Sequence, residues 1–332
     1  MPGGDGTPGH MAKFIGAQLF TNAPKPKESF AGKTVIITGS NTGLGYEGAK
    51  HVLNLRCAKL IIAVRSVDKG EAAKRTLVES THVDPSIIEV WAMDLTSYDS
   101  VKAFAERASH LERLDVLLEN AAVASVEWNE VLDNERMVTV NVVSTFLMAF
   151  LILPKLKETA QKYNVKTHLT FVTSDTHYLV NFEEGDAPEG IFNRLNDKVK
   201  SLPTQADRYP TTKLMQVFVV REMAARLKEP TPVIINCTNP GLCHSELSRE
   251  LDNMQVRVAK FLLARTSEEG SRNLIAGATG GPETHGQYLD VGKVKKPATV
   301  VVGPGGAKRQ ERLYNELVEK LEKIVPGVTS NL

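Results

Sequence analysis

Cysteine is scarce in this chain of 332 residues: only Cys57, Cys237 and Cys243 occur, an odd number with no Cys-x-x-Cys pair. That rules out a disulfide scaffold and suits three free thiols in a reducing compartment. A surplus of one charge is also missing. Forty basic residues face 39 acidic ones, giving a formal net charge of +1. No basic run is interleaved with aromatics, so neither nucleic acid nor an anionic membrane is indicated as a partner. The longest apolar stretch, Phe146–Leu153, is far short of the ~20 residues that cross a bilayer. There is no His-Glu-x-x-His, and no Cys/His cluster has zinc-ligand spacing, so no metal is expected. Residues 1–10 are glycine-rich and lack the apolar segment of a secretory signal; disorder is expected there. The His10-Met11 pair fits a cloning remnant as well as a native tail. A cytoplasmic location is the expectation.

What is present is enough to build a full core, with 42% apolar and 24% charged residues. Apolar, β-branched runs alternate with longer amphipathic stretches. Strands are predicted at Thr34–Thr38, Lys59–Val64, Ile87–Met93, Val116–Glu119, His168–Ser174 and Pro232–Thr238, with a weaker one at Gln287–Val291. Helices are predicted over 43–55, 67–80, 97–112, 130–160, 209–228, 267–278 and 308–324. Strands separated by helices imply parallel pairing with right-handed crossovers. The predicted fold is a single-domain, doubly wound (Rossmann-type) α/β parallel sheet with helices on both faces. It would span residues 31–332 after an N-terminal extension, 1–30, in which Met11–Phe20 could form a short apolar helix. Two insertions interrupt the pattern. Residues 180–207 are polar, with Gly185, Pro188, Gly190 and Pro203, and read as a long functional or mobile loop; residues 241–256 lie where a substrate lid would sit.

Two motifs carry chemistry. The first is Gly39-Ser40-Asn41-Thr42-Gly43-Leu44-Gly45, directly after the apolar run 34–38. A strand, a glycine turn and a helix aim backbone N–H groups and a helix dipole at a pyrophosphate. The second is Tyr209-Pro-Thr-Thr-Lys213, whose tyrosine and lysine share one helix face. An ammonium held near a phenol is expected to lower its pKa from the usual ~10 and make it a usable proton donor. The end of the second strand reads Val64-Arg65-Ser66. An acidic residue there would bind the ribose hydroxyl of NAD, whereas Arg65 can grip a 2′-phosphate, which favours NADPH/NADP+ over NADH. At the end of the third strand Asp94 could receive the adenine amino group, with Leu95 packing its ring. Asp94 is equally suited to cap the following helix, with Thr96 as competitor.

With these residues in view, the chain resembles the short-chain dehydrogenase/reductase family over about residues 33–245. Glu119-Asn120-Ala121-Ala122 is similar to the family's Asn-Ala-Gly sequence, with Ala122 in place of its glycine. Pro240-Gly241-Leu242-Cys243-His244-Ser245 is similar to its nicotinamide-holding Pro-Gly motif, with Ser245 in place of a threonine. A narrower resemblance, to the retinol-dehydrogenase-like branch and its fungal members, rests on Ala63-Val-Arg-Ser66, Arg265-Thr-Ser-Glu-Glu-Gly270, His285-Gly-Gln-Tyr288 and the separation of Ser174 from Tyr209. The family implies a catalytic set of Asn141, Ser174, Tyr209 and Lys213. Ser174 would hydrogen-bond the reacting oxygen and Tyr209 would protonate it. Lys213 would lower the Tyr209 pKa and hold the nicotinamide ribose, and Asn141 would fix a water that feeds protons to Lys213.

Each of these residues also has a plain structural reading: Asn141 bonding a backbone carbonyl, Ser174 capping, Tyr209 packing, Lys213 solvated. Their joint occurrence in order favours chemistry. The expected activity is NADPH-dependent reduction of a ketone or aldehyde, and the insertions suggest a bulky apolar, specialised metabolite. Alternatives are retinol-like alcohol oxidation, or a cofactor-binding protein with a scaffold or pericyclic role. The run Ser174-Asp175-Thr176-His177 holds hydrolase residue types, but on a strand adjacent side chains point to opposite faces. His177 and His244 could flank the substrate or be solvated; Cys243 could line the pocket or be buried. In the family, helices starting near 130 and 209 often pair between subunits, so the expected state is a monomer or a homodimer.

Overall fold

Thr34–Thr38 forms the central strand β1, all five residues buried. Its apolar side chains alternate between two cores, Ile36 facing one and Val35 and Ile37 the other, as the two-residue strand period requires. The chain is described by a computed structural model at residues 15, 16, 18, 20, 21, 23–227, 231–244 and 263–332. Most of the N-terminal extension and residues 245–256 of the expected lid, Ser245 included, lie outside the described residues.

After β1 come α1 (Gly43–Asn54), β2 (Lys59–Val64), α2 (Val67–Thr81), β3 (Ile88–Ala92), α3 (Tyr98–Ser109) and β4 (Val116–Glu119). A long helix, α4 (Arg136–Tyr163), leads to β5 (Thr167–Val172), α5 (Arg208–Arg226), β6 (Val233–Asn239) and α6 (Ser267–Ala278). The chain ends with β7 (Tyr288–Asp290), β8 (Lys293–Lys295) and α7 (Gly306–Ile324). The eight strands form one sheet in the order β8-β7-β6-β5-β4-β1-β2-β3. α1, α2 and α6 contribute to the core on one face; α3, α4 and α5 contribute to that on the other, with α7 seated outside α5. This is a single Rossmann-type α/β domain.

The expected strands are present within a residue or two, and the expected helices within three, apart from the start of the one expected at 130. Four details differ. β8 pairs antiparallel with β7, so the sheet is mixed and not wholly parallel. Residues 130–135 form a small hairpin, Glu130–Val131 against Asn134–Glu135, and the helix starts only at Arg136, where Glu135 caps it by accepting from Met137 N. The segment 180–207 is not an open loop. It contains the helices Ile191–Asn196 and Lys198–Ser201 and buries Phe182, Ile191, Phe192 and Leu195. Its glycines and prolines signalled irregular backbone, but these four apolar anchors join the core, Phe182 against Phe218 of α5, and α7 holds the segment where Glu316 accepts from Ile191 N at 2.7 Å. Finally, α4 is the one helix among the described residues long and apolar enough to cross a membrane, and 89% of its most apolar window is buried inside the protein. It is a core helix.

The C-terminal residues pack on α5 and α4. α7 buries Leu313, Tyr314, Leu317 and Leu321. It meets α5 through Arg221–Gln310 at 3.1 Å and Gln310–Glu222 at 2.8 Å. Asn331 donates to Phe150 O, and Lys157 of α4 donates to Asn331 O and Leu332 O.

Candidate active site

The glycine turn closes as its sequence requires. Gly39 and Gly43 take positive φ, +64° and +58°, which L side chains avoid. Gly45 has no room for a side chain: a Cβ there would lie 2.6 Å from Asn120 Nδ2 and 2.6 Å from Gly39 O. Ser40 is buried and donates to Ile37 O at 2.7 Å, bracing the turn. Thr42 precedes α1 without offering a side-chain cap, so the first N–H groups of that helix are left to another acceptor. Asn41, Thr42 and Leu44 are half-buried around this opening.

Asn120 and Ala121 hold the turn from β4. Asn120 Nδ2 donates to Thr38 O at 2.8 Å, and both backbone N–H groups donate to Thr38 Oγ1 at 2.9 Å. Thr38 Oγ1 in turn donates a hydrogen bond to the buried Glu119, whose carboxyl burial pushes well above the usual range. Ala122 is half-buried beside them.

Arg65 stands exposed just past β2 and makes no hydrogen bond or ion pair among the described residues. Asp94 does not cap α3, and neither does Thr96; Ser97 does, accepting from Ser100 N. Asp94 Oδ1 instead accepts from Thr96 N at 2.9 Å and Thr96 Oγ1 at 2.7 Å. Leu95 is buried among core side chains.

The catalytic candidates meet at the carboxyl edge of the sheet. Ser174 lies two residues beyond β5 at the head of a short 3-10 turn, Asp175–Leu179, and its Oγ accepts from Thr176 N at 3.2 Å. Tyr209, in the first turn of α5, has Ser174 within hydrogen-bonding reach. Lys213 follows one turn later, its Nζ 5.6 Å from the Tyr209 ring centroid. Asn141 sits in a π-helical stretch of α4, Thr139–Ser144, and is fully buried. Its side chain is spent on Val123, accepting from N and donating to O at 2.9 Å each, and on Thr212 Oγ1 at 3.1 Å.

One expected relationship is not found. Lys213 does not lower the Tyr209 pKa. Its ammonium is turned inward, donating to Val172 O at 2.8 Å and Gln216 Oε1 at 3.1 Å. Burial and then the Asp175 carboxyl raise the phenol, and the Ser174 bond only partly offsets them. Asn141 and Lys213 are also linked through a side chain. Gln216 Nε2 donates to Asn141 O at 2.7 Å, so its amide bridges that carbonyl to the lysine. Gln216 was missed from sequence, although a glutamine three residues past the lysine on the same helix face is a readable signal. Burial pushes Lys213 down to about 7.

The neighbouring residues also resolve. The Ser174–His177 run is a turn and not a strand, so opposed side-chain faces are not the reason it fails as a hydrolase triad. The reason is that His177 bonds the Ser174 carbonyl, not its hydroxyl. Ala298 N donates to His177 Nε2 at 3.2 Å, which leaves the proton on Nδ1, 2.7 Å from Ser174 O. His177 is thus a buried brace and flanks no substrate; His244 is exposed, and Cys243 is buried against Pro240 O. Pro240 is buried and Gly241 takes φ +77°. Gln18, from the N-terminal segment, accepts from Leu242 N at 3.3 Å and donates to Leu242 O at 2.9 Å. No cluster of metal-ligating side chains occurs among the described residues.

Residues 33–172 match the short chain dehydrogenase family. A relative from Cryptosporiopsis sp., the short chain dehydrogenase/reductase dmxR8, is 44% identical over 96% of this chain and 99% of its own. The chain belongs to the short-chain dehydrogenase/reductase family. The short chain dehydrogenase atnD of Emericella nidulans is 39% identical over 84% of this chain and 90% of its own. Among solved structures, an uncharacterised protein from Mycobacterium paratuberculosis superposes with a TM-score of 0.64 at 24% identity, covering 88% of this chain and 95% of that one. The Pseudomonas aeruginosa RhlG/NADP active-site complex gives 0.59 at 20% identity over 79% and 95%. At such identity these two speak for the fold. The oxidoreductase character of this short-chain dehydrogenase/reductase rests on the two curated relatives.

Proposed function

We propose that this short-chain dehydrogenase/reductase uses NADPH to reduce a ketone or aldehyde on a bulky, largely apolar metabolite. The observation that carries the reading is the convergence of Ser174, Tyr209 and Lys213 at the sheet edge, beside a glycine turn with no room for side chains. The residues fit a dinucleotide. The uncapped start of α1 would receive the pyrophosphate, Arg65 the 2′-phosphate, Asp94 the adenine amino group, and Pro240–Leu242 with Ser245 the nicotinamide. When bound, NADPH supplies the hydride.

The chain's own residues then handle the oxygen. A carbonyl that gains a hydride gains negative charge on oxygen, and donors aimed at that oxygen stabilise the transition state. Ser174 donates one hydrogen bond. Tyr209 donates another and gives up its proton; because burial raises its pKa, it is protonated at neutral pH, as an acid must be. Lys213, locked between Val172 O and Gln216, holds the ribose side of the pocket. Asn141 fixes α4 against the loop after β4.

The direct test is cofactor titration by protein fluorescence from Trp91 and Trp128. Arg65→Ala is expected to weaken NADPH by about ten- to a hundredfold, ~1–3 kcal/mol, and to leave NADH unchanged. Equal binding of the two cofactors would favour the alcohol-oxidising alternative; binding of neither would favour a non-redox role. Because α7 and the C-terminus cover α4 and α5, the protein is expected to be monomeric. Light scattering at the mass of one chain would agree; a dimer would place its interface elsewhere.

A further inference from the structure

The carboxyl of Asp175 has no part in the scheme above, yet it touches the group that scheme depends on. Ser174 Oγ donates its single proton to Asp175 Oδ1 at 3.3 Å and accepts from Thr176 N at 3.2 Å. A hydroxyl has one proton, so what Asp175 holds cannot be given to a substrate. Nor is the aspartate free to drift. Its backbone N–H donates to Asn239 Oδ1 at 3.1 Å, which also accepts from Gly241 N at 3.0 Å. Asn239 Nδ2 in turn donates to Asp290 Oδ1 at 3.1 Å. One asparagine thereby ties the serine loop, the Pro-Gly turn and β7 together.

We propose that Asp175 is a positioning residue that competes with substrate for the Ser174 proton: its ionised carboxylate withdraws the serine from the reacting oxygen, and its protonated form releases it. The inference rests on the reductase reading. The physical reason is twofold. A carboxylate is the stronger acceptor for the serine, and its charge opposes the negative charge that develops on the substrate oxygen. A neutral carboxyl does neither.

The surroundings place this switch in an accessible range. Burial raises the carboxyl to about 6, and Asp290 on β7 adds to the rise; the Ser174 bond and Arg265 partly oppose it. Tyr288 on β7, Tyr209 on α5 and Cys243 are the other titratable groups that feel its charge. All three are held above their ordinary values chiefly by burial and stay protonated at neutral pH. His177, on the same turn, bonds Ala298 and the Ser174 carbonyl.

The test is the pH profile of initial rates with saturating NADPH and phenanthrenequinone as a bulky probe, for wild type, Asp175→Asn and Asp175→Ala. Wild type is expected to lose activity as pH rises, approaching tenfold per pH unit above a midpoint near 6. Both variants should lack that limb and exceed wild type about a hundredfold near pH 8. Lys213, at about 7, contributes its own limb, which remains in all three. If Asp175→Asn keeps the lower limb, or is inactive at every pH while binding NADPH normally, the proposal is overturned and the reductase reading stands.

A wild type inactive at every pH would instead count against the reductase reading. The competition is then read without turnover, from the carboxyl-carbon NMR titration of Asp175, assigned by its loss in Asp175→Asn. In Ser174→Ala that carboxyl should titrate at higher pH than in wild type, because the serine hydroxyl favours the carboxylate. An unchanged titration would overturn the proposal.

Discussion

Tyr209→Phe is expected to lower turnover by a factor of ~10²–10⁴ while leaving NADPH affinity within about twofold. The substitution deletes only the hydroxyl. The ring keeps its place beside Lys213, and the Tyr209 carbonyl still accepts from Thr212 Oγ1 at 2.8 Å. What is lost is the proton donor and one of two hydrogen bonds to the developing oxyanion, an effect on kcat more than on KM. Fluorescence titration and steady-state kinetics on the same preparation separate the two. Full retained turnover would mean that another group protonates the product; loss of cofactor binding would mean that the tyrosine supports the pocket and not the chemistry.

Gly45→Ala is expected to be as damaging by a different route. The added Cβ would sit 2.6 Å from Gly39 O, 2.6 Å from Asn120 Nδ2 and 2.9 Å from Ser40 Cα. Two of these are backbone atoms of the turn itself, so the turn must open and lose the geometry that presents N–H groups to a pyrophosphate. NADPH affinity should fall at least about a hundredfold, with stability lower by ~1–3 kcal/mol as for other overpacked sites. Gly48→Ala on the same helix is the control: its nearest new neighbour is Leu274 Cδ2 at 3.8 Å. It should bind cofactor normally and gain up to about 1 kcal/mol from helix propensity. If both variants bind NADPH equally well, the close packing around Gly45 has no bearing on the cofactor.

The legible part of the site was the part encoded by short-range pattern. Gly39, Gly43 and Gly45 could be placed because a turn between strand and helix needs left-handed φ and missing side chains at fixed offsets. Tyr209 and Lys213 could be placed because one helical turn separates them. Less legible was anything that depends on where a polar group finds its partner. Lys213 was expected to act on the Tyr209 phenol, but Val172 O and Gln216 lie nearer its ammonium. Gln216, which bridges the Asn141 carbonyl to Lys213, was not expected at all. His177 was expected beside the substrate or in solvent, yet a segment more than a hundred residues later, ending at Ala298, buries it.

The same division holds for the whole protein. Alternating apolar runs and amphipathic stretches by themselves determined the strands, the long helices and the doubly wound order, because side-chain periodicity is a local property that burial then selects. Only the tertiary structure decided that residues 180–207 fold onto α7 and that the last strand turns back antiparallel. It alone buried the Asp175 carboxyl and turned it onto the hydroxyl of the neighbouring serine. These outcomes depend on which distant surfaces meet and on the burial that shifts a pKa, and neither is carried by residue spacing along the chain.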